Sequence, residues 1–181
     1  LAALLPGRIG APLSINSLAR DLETSHPTVK TSIGQFERLW LLFSIPPYSR
    51  RLNRAVRKEV KTYFLNWTFV EEDGARFENF IAVQIQRACA VWSDTEFANA
   101  GLRYVRNFDG REIDFLITID DRPVLCVEAK LSDDWIGEPQ LNLARALGVP
   151  IVQVVRRPGI YRRQSDMALV ISAERFLRVL P

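Results

Sequence analysis

The chain has 181 residues, 48% of them hydrophobic and 25% charged, which suits one folded domain or two small ones. No apolar run approaches the roughly 18 residues that a membrane-spanning helix requires. Two cysteines and a single histidine build neither a disulfide framework nor a His-rich zinc site. A disulfide-stapled secreted module, a protein crossing the membrane by helices and a zinc finger are therefore excluded. The chain opens on Leu rather than Met, as expected of a piece of a longer protein.

The net charge of +3 is unevenly divided. Residues 1–68 carry net +6 and residues 69–181 net −3, and Arg50, Arg51, Arg54, Arg57, Lys58 and Lys61 crowd one short stretch. A basic part joined to an acidic one points to a polyanion-binding module beside a module with another task. The alternative is a solvated basic loop.

In chain order, Ile15, Leu18, Ala19 and Leu22 recur at helical spacing. Ser25-His26-Pro27-Thr28 then supplies an N-cap and a first-turn proline, whose missing N–H costs nothing there. The helix it opens repeats apolar residues at Val29, Ile33, Phe36, Leu39 and Trp40. Two short helices across a tight turn form the pattern of a DNA-reading pair. His26, Thr28, Lys30, Thr31 and Gln35 fall away from the expected core and are the candidate groove-reading residues. Segments 41–45 and 61–65 are β-rich. Between them Pro46-Pro47-Tyr48 and the arginine cluster read as a wing, with Arg50, Arg51, Arg54 and Arg57 available to phosphates. A small helical packing module that contacts only protein is the alternative.

Residues 74–90 place Phe77, Ile81, Ile85 and Ala88 on one helical stripe with Glu78 at its edge. A carboxylate there needs a cation, a metal or a hydrogen bond, and a buried ion pair would also satisfy it. Segments 111–119 and 123–130 alternate, and Asp120-Asp121-Arg122 between them is turn chemistry, so the two make a hairpin. Burying Ile113, Phe115, Ile117 and Ile119 together with Leu125, Val127 and Ala129 on one face requires paired positions to sum to an even number. Centring the turn on Asp121 sets Asp114 opposite Glu128 and Glu112 opposite Lys130.

Directly opposed carboxylates have Cβ atoms about 4.5–5.5 Å apart and repel unless a cation intervenes. Hard oxygen ligands of this kind suit Mg²⁺, and an adjacent lysine can meet developing phosphate charge. The competing reading is a salt-bridge ladder, Glu112 with Lys130 and Asp114 with an arginine such as Arg111. Beyond the hairpin come a helix over 138–147 closed by Gly148, a buried strand over 151–155, a short strand ending at Val170 and a helix over 173–180. Arg156, Arg157, Arg162 and Arg163 flank Gly159 in a loop, and Cys89 and Cys126 read as buried thiols.

Asp114, then Glu128-Ala129-Lys130 after a hairpin, with Glu78 on the preceding helix, resemble the PD-(D/E)XK nuclease superfamily, although Ile113 stands where the Pro would be. Gln140 resembles a glutamine that some members carry on the next helix, with Ala144 where those members often have Tyr. The whole order is similar to the C-terminal region of a prokaryotic family of AAA+ ATPases, a region classed as a domain of unknown function. It runs Leu18-Ala19-Arg20-Asp21-Leu22, Ile45-Pro46-Pro47-Tyr48-Ser49-Arg50, Tyr63-Phe64-Leu65, Phe77-Glu78-Asn79-Phe80, then Arg111-Glu112-Ile113-Asp114-Phe115.

This resemblance implies an α/β (α+β) chain: a winged helix-turn-helix over 1–68, followed by a restriction-endonuclease-like PD-(D/E)XK α/β sandwich over 69–181. It implies a phosphodiester hydrolase using Mg²⁺ or Mn²⁺, with Asp114, Glu128 and the Ala129 carbonyl holding the metal. Lys130 would orient the nucleophile and Glu78 would complete the cluster. Expected partners are nucleic acid, DNA first, and the ATPase module, with a homodimer left open, no membrane, and a cytoplasmic setting. Gly7-Arg8-Ile9-Gly10 lacks the lysine of a phosphate-binding loop, so no ATP site is encoded in this chain. Two rivals stay open: a catalytically silent module of the ATPase, and a DNA-binding regulator acting through the winged helix alone.

Overall fold

A computed structural model of the chain describes residues 1–49, 59–132 and 134–181. The described residues form a mixed α and β structure with five α-helices and two sheets. Helix α1 spans Ile15–Asp21, and α2 (His26–Arg38) begins at the Ser25 cap that the sequence places there. Ser14 Oγ accepts from the Ser17 N–H, and Ser25 Oγ from the Thr28 N–H. Leu18, Ala19, Val29 and Ile33 turn inward. Strands β1 (Leu42–Ile45) and β2 (Lys61–Phe64) pair antiparallel, Leu42 opposite Phe64. Arg50, Arg51, Arg54 and Arg57 lie outside the described residues, so the expected wing is untested there. The start of that segment runs onto the second sheet. The Tyr48 N–H donates to the Tyr104 carbonyl at 2.7 Å, and the Tyr104 N–H to the Pro46 carbonyl at 3.2 Å. Prolines, lacking an N–H, fit such an edge position.

The remaining elements are α3 (Asp73–Asp94), β3 (Ala100–Arg106), β4 (Glu112–Ile119), β5 (Arg122–Lys130), α4 (Glu138–Leu147), β6 (Ile151–Val155), β7 (Tyr161–Ser165), β8 (Ala168–Ser172) and α5 (Ala173–Leu177). They build a six-stranded sheet in the order β3-β4-β5-β6-β8-β7, with β5-β6-β8 parallel and the flanking pairs antiparallel. Helix α3 packs Ile81 and Ile85 with Phe115, Ile117 and Val127, while α4 packs Leu141 and Ala144 with Leu116, Cys126 and Ile151 on the other side. Helix α4 ends at Gly148, whose φ of +74° is the left-handed turn that closes a helix. Arg162 and Arg163, expected in a loop, belong to β7 at the sheet edge. Its sequence, Tyr-Arg-Arg-Gln-Ser, shows no apolar alternation because it pairs on one side only, with β8.

The hairpin reaches its expected register by an unexpected route. Asp120 and Asp121 both have positive φ and make a two-residue turn, which pairs Ile119 with Arg122 and Thr118 with Pro123. A bulge between Ile117 and Thr118 then shifts the ladder by one, so Phe115 faces Val127 and Leu116 faces Cys126. A second irregularity follows against β3: Arg103 faces Leu116 and Val105 faces Ile113, leaving Asp114 and Phe115 together opposite Tyr104. The extra residue reverses the alternation. Ile113 accordingly joins Leu116 and Cys126 on the α4 side instead of sharing the Phe115 face.

The Phe77-Glu78-Asn79-Phe80 run of α3 holds the N-terminal elements in place. Asn79, fully buried, accepts from the Phe64 N–H at 3.0 Å and donates to the Phe64 carbonyl at 2.7 Å. Phe80 meets Trp67 edge-on, and Tyr63 lies between Phe43 and Phe115. One apolar cluster runs from Leu5, Leu18 and Ile33 through Tyr63 and Ile81 to Val127 and Phe176. Residues before and after position 68 thus share a core. Among the described residues no helix is long and apolar enough to cross a membrane.

Candidate active site at the open end of the hairpin

Beyond the Phe115–Val127 pair the β4–β5 ladder is completed by side chains. The Asp114 N–H donates to Glu128 Oε2 at 3.2 Å, and the Ala129 N–H donates to Asp114 Oδ2 at 3.0 Å. Each buried carboxylate thus takes the place of a ladder carbonyl, accepting from a backbone donor beyond the end of the β4–β5 pairing. The second oxygen of each faces an ammonium group. Glu128 Oε1 is 2.8 Å from Lys130 Nζ, and Asp114 Oδ1 is 3.7 Å from Lys61 Nζ.

Lys61 is the residue that sequence reasoning missed. It belonged there to a basic surface cluster, yet all four β2 residues are buried and Lys61 is 0% exposed. Its Nζ lies 2.5 Å from Glu112 Oε1 and 3.5 Å from Glu78 Oε1, above the Tyr104 ring. Tyr63, two residues on and so on the same strand face, donates its hydroxyl to Glu78 Oε1 at 2.8 Å. Glu78 also lies under Gly10. There φ is +78°, which favours glycine, and a Cβ would stand 2.8 Å from Oε1 and push the Glu78 carboxyl aside. The available signal was a surplus of carboxylates in 78–128, nine Asp or Glu against five Arg.

Glu78, Asp114, Glu128 and Lys130 therefore come together, as the sequence led us to expect of a site. Two pairings differ. Glu112 pairs with Lys61, not Lys130, and Asp114 is met by backbone and lysines, not by Arg111. Ala129 brings its N–H to the cluster. Gln140, at the start of α4, points its Nε2 to the Glu112 carbonyl at 3.4 Å. With Glu128, Lys130, Trp135 and Gln153 it lines a small cavity of about 180 Å³. Arg162 stacks over the Trp135 ring at 4.8 Å, at the rim of that cavity.

Carboxylates outnumber lysines here four to two, with Arg106 reaching only Glu112 Oε2, at 3.8 Å. Burial first, and repulsion from Asp114 second, push both Glu78 and Glu128 up to about 7. Burial alone would lower Lys61; Glu78, Asp114 and Glu112 override it and hold the ammonium charged. Burial, then Glu78, raises the Tyr63 phenol well above its usual value, so it stays a donor.

The sign of the pH effect follows. A folded pKa above the unfolded value of about 4.5 means the folded state binds the proton more tightly. That contribution to stability is complete below pH 4.5 and is lost as pH rises through 7. Thermal denaturation without divalent ions is expected to show this as a fall in Tm between pH 5.5 and 8. Glu128→Gln should flatten the fall, and an equally steep fall in that variant would contradict the assignment.

Asp114 and Glu128 present hard oxygen donors toward the Lys130 side, of the kind a divalent ion takes. Asp114 and Glu128 are fixed by backbone bonds, and the half-exposed Lys130 side chain can swing clear. On the other side Lys61 is enclosed. Among the described residues no three His, Cys, Asp or Glu side chains are grouped so as to hold a metal ion as they stand. Cys89 and Cys126 are free, buried thiols, pushed up by burial to about 11 and about 12.

His26, Thr28, Lys30, Thr31 and Gln35 are all exposed on α2, but they occupy two flanks. His26 and Lys30 line a groove of about 700 Å³ with Leu13, Ile15 and Ile33, whereas Thr28, Thr31 and Gln35 lie outside it.

The model of a family described as a domain of unknown function (DUF8612) matches residues 1–70, from the N-terminus to the residues just before α3. No curated protein and no solved structure matches the chain.

Proposed function

We propose that the chain is the C-terminal, nucleic-acid-binding and nuclease-like part of a prokaryotic AAA+ ATPase, with a winged helix-turn-helix leading into a PD-(D/E)XK sandwich that hydrolyses phosphodiesters. The observation that carries this reading is the reciprocal Asp114–Glu128 arrangement, with Lys130 against one carboxylate and Glu78 behind. Asp114, Glu128 and the Ala129 carbonyl would hold Mg²⁺ or Mn²⁺, which would polarise the phosphate and lower the pKa of its water. The chain's own residues do the rest. Lys130, half exposed at the cavity mouth, holds a water or hydroxide and meets charge developing on phosphate. At the back of the cluster burial raises the Glu78 carboxyl, which the Tyr63 hydroxyl holds by a hydrogen bond.

Lys61 supports a second reading. A buried ammonium among Glu78, Glu112 and Asp114 already compensates part of the cluster, as in a structural charge network inside a silent regulatory module. The deciding assay incubates the protein, joined to its ATPase portion, with duplex, branched and single-stranded DNA and with RNA, in Mg²⁺ or Mn²⁺. Cleavage supports the nuclease; none on any substrate leaves the silent module.

Nucleic-acid affinity is expected to fall steeply with salt, by a log–log slope of about −0.9 per phosphate neutralised. Replacing Arg50, Arg51 and Arg54 together by Ala should flatten that slope by up to roughly three contacts' worth. Titrations at several salt concentrations check it. An unchanged slope would move the N-terminal module to protein contact.

A further inference from the structure

We infer that Lys61 is a built-in cation, permanently filling one of two cation positions in the carboxylate cluster, so that the site accepts a single divalent ion, on the Asp114–Glu128 side. The inference rests on the metal-site reading above and goes beyond it by assigning Lys61 and the number of ions.

Three oxygens from two elements, α3 and β4, converge on Lys61 Nζ: Glu112 Oε1 at 2.5 Å, Glu78 Oε1 at 3.5 Å and Asp114 Oδ1 at 3.7 Å. Carboxylate oxygens are hard donors of the kind a divalent ion takes, and here the ammonium already stands among them. Lys61 cannot leave as Lys130 can. It is completely buried, paired in β2 with Ile45, bridged on the other side to Pro12, and covered by the Tyr104 ring. Its closest contact is with Glu112, and Glu78 and Asp114 act on it through charge.

Asp114 divides the two positions. Oδ1 faces Lys61, while Oδ2 takes the Ala129 N–H and faces the Lys130 side. An ion drawn to Asp114 and Glu128 therefore finds the neighbouring position occupied by fixed positive charge, which repels a second ion. Lys61 touches no reacting atom in this arrangement and is a positioning residue. Its consequence is chemical economy: the cluster gets its second positive charge from the fold, independent of ion concentration.

The test counts Mn²⁺ ions per chain by equilibrium dialysis with electron paramagnetic resonance, alongside melting curves with and without Mn²⁺. Wild type should hold one ion. Lys61→Met, which keeps the length but removes the charge, should hold one more than wild type and gain more in Tm from Mn²⁺. Two ions in wild type, or the same count in both proteins, would overturn the inference. No ion in wild type but one in the variant would retain the Lys61 assignment while sinking the nuclease reading. If the variant is unfolded without metal, saturating Mn²⁺ should restore its cooperative melting; failure to do so counts against the inference. A purely structural lysine would lower Tm without changing the ion count.

Discussion

Glu128→Gln is expected to lower Mg²⁺-dependent cleavage by about 10²–10³-fold, the scale on which loss of one electrostatic element acts in a preorganised site. The substitution keeps the volume of a side chain that is 3% exposed, and the amide oxygen can still accept the Asp114 N–H. It removes the charge that opposes Lys130 and would draw a divalent ion. Nucleic-acid affinity should stay within about twofold, because the exposed residues of α2 and the arginine cluster are untouched. The variant should not be less stable without metal. Burial and Asp114 already disfavour the ionised Glu128, so a neutral group is better tolerated there. Cleavage within a fewfold of wild type would remove Glu128 from the reaction.

Asn79→Ala carries the largest expected stability loss. It leaves the Phe64 N–H and carbonyl without their side-chain partner in a fully buried setting. Each orphaned group costs about 1–3 kcal/mol, so the loss should be about 2–6 kcal/mol, a large part of the usual total for a single domain. Urea titration should show a lower midpoint and one transition, since the segments on either side of position 68 share a core. A loss under about 1 kcal/mol would show that the Asn79 bridge does not dock β2 on α3.

Much of this architecture was legible because it follows from local rules. The serine cap of α2, the left-handed stop at Gly148 and the bounds of α4 and β6 were all given by neighbouring residue types. The juxtaposition of Asp114 and Glu128 was legible for a less secure reason. An even register was required by burial, but Asp120 and Asp121 make a turn of odd register, and only the bulge at Ile117–Thr118 restores it. Bulges carry no sequence mark as plain as a turn. The same limit explains Ile113, which strict alternation put on the wrong face. Lys61 was illegible for a different reason. A lysine between valine and threonine, beside five other basic residues, reads as surface until tertiary structure brings Glu78, Glu112 and Asp114 around it. β7 escaped because an edge strand with polar side chains needs no apolar alternation.

The most direct measurement of the central claim is an anomalous difference map from crystals soaked in Mn²⁺. A peak bound by both Asp114 and Glu128 oxygens at about 2.0–2.3 Å, with Lys130 Nζ moved off Glu128, is the result this account predicts. Crystals that hold no ion there at saturating Mn²⁺, with Lys130 still 2.8 Å from Glu128 Oε1, would contradict it and leave the cluster a closed charge network.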